Sequence, residues 1–145
     1  MTHQTNPYHT RVIKVRGYHC DFYGHLNHAR YLELMEEARW SYLEGRMTNA
    51  DWARKNRGIV VASLTINYKR PAPVDTVLEI RSSMGRVGER TAVIHQEIFN
   101  LETGKLISDA DVTFAVIDTT TGRAVPLEGE IREVFAGRPE ADEAC

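Results

Sequence analysis

From His25 to Glu44 the chain runs without proline or glycine, and Tyr31, Leu34, Met35, Ala38 and Tyr42 recur at helical spacing. That spacing puts them on one stripe of an α-helix, with Leu32 and Leu43 flanking it. Asn27 is placed to cap the first turn and Gly45 to end the last. The stripe is wide rather than a narrow seam, which predicts a helix wrapped by other structure on more than one side. Before it, Arg11 to Arg16 predicts a short strand, and residues 17 to 24 are rich in turn formers. After it, Asn49 to Asn56 predicts a shorter helix. From Val60 the period changes to two. Val60, Ala62, Leu64, Ile66 and Tyr68 alternate with mostly polar partners up to the break at Pro71 and Pro73. Thr76 to Met84 and Arg90 to Asn100 predict two further strands. Leu101 to Lys105 predicts a hairpin turn with Gly104 at its positive-φ position. Ala110, Val112, Phe114 and Val116 alternate along a last strand ending at Asp118, followed by a turn at Thr119 to Arg123.

One strand, one long helix and then about four consecutive strands joined by short turns is an α+β pattern. Short connections favour antiparallel neighbours. A single helix laid on one antiparallel sheet buries one sheet face and most of the helix. The apolar surface left over predicts a homodimer or homotetramer.

Composition narrows the class. The chain has 145 residues, 42% hydrophobic and 26% charged, with a formal net charge of -2. That length predicts a single domain, 1–145, with flexible ends at 1–10 and 138–145. The charge balance gives no global reason to bind nucleic acid or an anionic membrane, so an anionic ligand needs a local cluster of cations. No apolar run is long enough for a membrane span, and the first eleven residues lack the apolar stretch of a signal peptide. Two cysteines, Cys20 and Cys145, make no disulfide framework, and a bridge between them is not expected. A cytoplasmic protein is the expectation.

The chemistry is concentrated in Tyr18, His19, Cys20, Asp21, Phe22, Tyr23, Gly24, His25, Leu26, Asn27 and His28. Asp21 stands just before a long helix, whose N-terminus leaves backbone N–H groups unpaired and carries partial positive charge. Such a terminus polarises a carbonyl oxygen as an oxyanion hole does. A carboxylate beside it attacks the polarised carbon or activates a water. Gly24 lets the backbone approach a ligand closely. Together these features point to acyl transfer.

The run Asp21-x-x-Gly24-His25-Leu26-Asn27-x-x-x-Tyr31, followed by Glu36-x-Ala38-Arg39, resembles the signature of the 4-hydroxybenzoyl-CoA thioesterase branch of the hot-dog superfamily. Asn67-Tyr68-x-x-Pro71-Ala72, Asp75, Arg86-Val87-Gly88-x-Arg90-Thr91, Val116-x-Asp118 and Gly122-Arg123 match further along, so the resemblance spans Arg11 to Glu133. It implies a hot-dog fold, an antiparallel sheet of about five strands wrapped around the long helix, with active sites formed between paired protomers. It implies hydrolysis of acyl-CoA with no cofactor, coenzyme A being part of the substrate. The catalytic carboxylate falls on Asp21, with Gly24, His25 and His28 as its companions and Asn27 and Tyr31 beside the substrate. Gly17 stands where one branch, which includes the Tol–Pal-associated thioesterases, has a tyrosine; Tyr18 follows one place later, so no tyrosine-assisted role is implied.

Among the cations, Arg86 and Arg90 bracket a glycine-containing turn and are the first candidates for the CoA phosphates. Lys69 and Arg70 come second, and Arg54, Lys55 and Arg57 third. Residues shaping the acyl pocket include Trp40, Trp52, Val61 and Ser63. Glu36 is a second carboxylate near the site or a partner of Arg39. Two other classes compete. A metal site would draw on His19, Cys20, Asp21, His25 and His28, whose spacing matches no common zinc pattern. A non-catalytic acyl-CoA-binding protein would share the fold without the chemistry.

Overall fold

The computed structural model describes residues 8–136. Strand β1 (His9–Lys14) and a 3-10 turn (Gly17–His19) lead into helix α1 (His28–Glu44) and the short helix α2 (Asn49–Arg54). Strands β2 (Arg57–Tyr68), β3 (Val77–Val87), β4 (Thr91–Asn100) and β5 (Leu106–Asp118) follow, then β6 (Ala124–Val125) and α3 (Gly129–Ala136). The strands form one antiparallel sheet in the order β1-β3-β4-β5-β2, with β6 paired to β5. This is the expected hot-dog arrangement, a sheet curled around one long helix.

Helix α1 forms as its sequence dictates. The Asn27 side chain accepts from the Ala29 N–H, and Gly45 ends the helix. Tyr31, Leu34, Met35, Ala38 and Leu43 are buried against Leu78, Ile80, Ile94, Ile98, Val112 and Phe114 from the inner face of the sheet. At the centre of that face Gln96 is completely buried. Its Nε2 donates to Met35 O at 3.0 Å and Ser82 Oγ at 2.9 Å, and its Oε1 accepts from Arg39 at 3.1 Å. A buried amide satisfied on both ends fixes the height and azimuth of α1 above the sheet.

Three sequence expectations need correction. The first strand begins at His9, so residues 9 and 10 of the expected flexible lead-in are paired, to Ser82 and Arg81. Residues 1–7 and 137–145, including the expected flexible tail and Cys145, lie outside the described residues. The simple alternation in β2 is broken, because the register against β5 shifts between Val61 and Ser63. Leu64, Ile66 and Tyr68 face inward opposite Val112, Ala110 and Ser108, but beyond the bulge at Ala62 it is Val61 and Ile59 that face Phe114 and Val116. Finally, α3 was not expected. Its buried Val134 and Phe135 close one end of the core, with Phe135 stacked on Trp52 at 5.9 Å and edge-on to Phe114 at 4.8 Å.

The strand β2 is an open edge. Leu32 on α1 and Val60, Val61 and Leu64 on β2 stay exposed, a run of apolar side chains beside unpaired strand backbone. Among the described residues no helix is long and apolar enough to cross a membrane.

Candidate active site

The loop before α1 is shaped by its own backbone bonds. Asp21 N–H donates to His25 O at 2.8 Å, and Gly24 N–H to Asp21 O at 3.0 Å. Gly24 adopts φ 78°, a left-handed conformation that a side chain disfavours. The loop therefore folds back on itself and returns the Asp21 carboxylate to its centre. Asp21 Oδ1 accepts from the backbone N–H of Tyr23 at 2.9 Å and of His25 at 3.3 Å. Both bonds fall on one oxygen, Oδ1. Phe22 and Tyr23 project into solvent beside it, 94% and 78% exposed, as an edge-on pair.

The helix starts a few residues beyond this carboxylate, at His28. Asn27 is occupied as the cap, its Oδ1 taking the Ala29 N–H and its carbonyl the Arg30 N–H. Among the described residues the N–H of His28 is left with no recorded acceptor at the positive end of α1. Tyr31, one turn on, is buried; that burial, the neighbouring Tyr68 and the charge of Asp21 push its phenol up to about 12. Tyr31 thus stays protonated at any physiological pH, within electrostatic reach of Asp21. His28 is exposed, with the Tyr68 ring edge-on to its imidazole at 6.4 Å.

The structure sorts the other candidates. Gly24 is bonded to Asp21 through the backbone and Tyr31 feels its charge, while Asn27 caps α1 and His28 meets Tyr68. His25 lies before the helix, its backbone bridged to Pro73, so it does not share a helical face with His28. The five-residue metal reading finds no geometry: among the described residues no three His, Cys, Asp or Glu side chains gather closely enough to hold an ion. His19 is instead a structural residue, its Nδ1 accepting from Arg16 N–H at 2.8 Å. Burial first, then Arg30 and Arg16, lower its pKa and keep the imidazole neutral, with Glu33 opposing. Cys20 is a free thiol directed at Arg16 O.

Among the cations the first two candidate pairs lie at opposite ends of the sheet. Arg86 and Arg90 sit at the β3–β4 turn, while the Asp21 loop is bonded to Val74 beyond the opposite end of β3. At about 3.3 Å per residue the strand between them spans roughly 30 Å, so this pair stands far from the Asp21 of its own protomer. Lys69 and Arg70 lie at the end of β2 that reaches the site. Arg54, Lys55 and Arg57 are paired with Asp51, Glu130 and Asp118. Glu36 accepts from the Trp40 indole and Arg39 binds Gln96, so neither faces Asp21. Tyr68 is the residue to which sequence reasoning assigned no role; a tyrosine closing an alternating strand just before Pro71 was the available signal.

A sheet curled around one long helix, with a carboxylate in the loop just before that helix, is the arrangement of the hot-dog thioesterases. The thioesterase-like superfamily profile matches residues 15–135, and the chain belongs to that family. Its relatives agree with the family resemblance seen in the sequence. The long-chain acyl-CoA thioesterase FadM of Escherichia coli (strain K12) is 43% identical over 121 residues, 83% of this chain and 92% of FadM. The crystal structure of YbaW, a probable thioesterase from Escherichia coli, superposes with a TM-score of 0.80 at 42% identity, covering 86% of this chain and 94% of YbaW. A Staphylococcus aureus protein solved in complex with CoA has a TM-score of 0.85 at 12% identity, over 94% of this chain and 86% of its own, a likeness of fold alone.

Proposed function

We propose that this enzyme hydrolyses acyl-CoA thioesters, long-chain ones foremost, in the cytoplasm and without a cofactor, with Asp21 as the reacting carboxylate. The observation that carries the reading is the double backbone clamp on Asp21 Oδ1 in the loop that leads directly into α1, which leaves Oδ2 outside the clamp. The thioester carbonyl oxygen docks at the His28 N–H and the helix terminus, where negative charge developing on it is stabilised. Oδ2 then attacks the carbonyl carbon and expels the CoA thiolate, leaving a mixed anhydride on Asp21 that water hydrolyses to the free acid. Alternatively, it takes the proton from a water that attacks the carbonyl carbon directly and expels the same thiolate. Long acyl chains are supported by the likeness to FadM and by a groove of about 240 Å³ between α1 and β2, whose apolar wall is Leu32, Met35, Val61, Leu64 and Val112 and whose rim carries Glu33, Glu36 and Arg39. The exposed apolar run on the same edge supports a homodimer formed through β2.

The test is Asp21→Asn. Asparagine keeps the shape and the clamped oxygen but neither attacks nor accepts a proton, so kcat should fall by roughly two orders of magnitude or more. Free thiol released from a series of acyl-CoAs measures it, and turnover near that of the unaltered protein would sink the proposal. Tight acyl-CoA binding without hydrolysis by the unaltered protein would make it a binding protein instead. Intact-mass analysis of quenched single turnovers separates the two chemical routes, since only attack by Oδ2 leaves an acyl group on Asp21.

A further inference from the structure

The segment leaving β2, Tyr68 to Val74, runs alongside the active-site loop and touches it repeatedly. Leu26 N–H donates to Ala72 O at 2.8 Å, Val74 N–H to Gly24 O at 3.2 Å, and His25 bridges Pro73. The segment is itself held to β5, since the N–H groups of Lys69 and Arg70 both donate to Ile107 O at 2.8 and 3.1 Å. Pro71 and Pro73 stiffen it by fixing φ, and Ala72 is completely buried between them. It is a rail against which residues 24 to 28 are laid.

Most of these contacts are backbone to backbone. The side-chain hydrogen bond from the rail to the site belongs to Tyr68, whose hydroxyl donates to the carbonyl of His28 at 2.9 Å. The same ring stands edge-on to Tyr31, with centroids 4.9 Å apart, and to His28. We infer that Tyr68 is a positioning residue for the reaction: it holds the first residue of α1, and with it the His28 N–H and imidazole, in register with the Asp21 carboxylate. His28 O belongs to the peptide that follows the His28 Cα and the N–H to the one that precedes it, so anchoring the first orients the second. Burial raises the Tyr68 pKa, so the hydroxyl remains a donor throughout the neutral range. Nothing in this role needs the hydroxyl to touch substrate. A misplacement of well under a hydrogen-bond length at the oxyanion donor is enough to slow acyl transfer without weakening ground-state binding.

The inference rests on the Asp21 reading, and the experiment separates the two. Tyr68→Phe, Tyr68→Leu, Asp21→Asn and the unaltered protein are compared by steady-state hydrolysis of one long-chain acyl-CoA, well below their melting temperatures. Tyr68→Phe should lower kcat about tenfold with KM little changed, the size expected from losing one oriented hydrogen bond in the transition state. Tyr68→Leu, which also gives up the ring contacts, should lose more. Unchanged kcat in Tyr68→Phe beside an inactive Asp21→Asn overturns the positioning role and leaves Asp21 standing. A raised KM at unchanged kcat also overturns it, because the hydroxyl then serves binding. So does a kcat loss matched by an equal unfolded fraction in circular dichroism. An active Asp21→Asn defeats the Asp21 reading, and the role of Tyr68 falls with it.

Discussion

The two ends of this molecule are held by different forces. At the Asp21 end, residues 20 to 28 are fixed by directional bonds, backbone to backbone and backbone to carboxylate, while Phe22 and Tyr23 remain in solvent. At the other end, Leu43, Met47, Trp52, Phe114, Val134 and Phe135 bury one another with few polar contacts. Hydrogen bonds have geometry, so they hold a reacting atom in place at small net cost or gain in stability. Apolar packing is non-directional and scales with area, so it supplies stability and little placement. The difference teaches that the chemistry and the stability of this fold should be separable by mutation.

Phe135→Ala is the strongest way to break that comparison. Phe135 is fully buried between Trp52 and Phe114. Its loss should cost about 3–5 kcal/mol in a denaturant titration while kcat in the cold stays close to that of the unaltered protein. A large fall in kcat with the fold intact would show that the two ends communicate. Leu64→Glu probes the edge lying between them. A carboxylate on that exposed apolar run should leave the monomer folded and dissociate the proposed dimer, read by light scattering at micromolar concentration. An unaltered mass would move the interface off β2.

A smaller effect sharpens the picture on the outer sheet face, which belongs to neither end. His95 Nδ1 lies 2.8 Å from Asp111 Oδ1 and its Nε2 3.8 Å from Glu97. Burial works to lower the His95 pKa, but the hydrogen bond and charge of Asp111, with Glu97 and Asp109, outweigh it and raise it above 6.5. The stabilisation from this pairing is therefore fully present below the pKa of the unfolded chain and is lost as pH rises through the higher folded value. Tm should decline gently across that window, and His95→Gln should flatten the decline. The smallest expected effect is none: dialysis against a chelator should leave kcat unchanged. A loss restored by a divalent ion would revive a metal role for the residues around Asp21.

Much of this protein was legible in its sequence because periodicity and capping are local. The stripe Tyr31, Leu34, Met35, Ala38 fixed one face of α1, Asn27 and Gly45 bounded it, and Gly104 turned the β4–β5 hairpin with φ 76° as its position required. The loop around Asp21 was legible for the same reason, since its turn formers, its carboxylate and the helix start are consecutive in the chain. What tertiary structure alone decided involves residues distant in sequence. The bulge at Ala62 follows from how β2 fits β5, and α3 forms because Phe135 finds Trp52 and Phe114, not because eight residues are helical by themselves. The position of the cations was not legible because a turn and a strand end look alike in sequence, while only the sheet shows which end of it holds Asp21. Tyr68 meets His28 across 40 residues of chain. Local order depends on neighbours along the chain, whereas register and proximity depend on which buried faces pair, and no single segment carries that information.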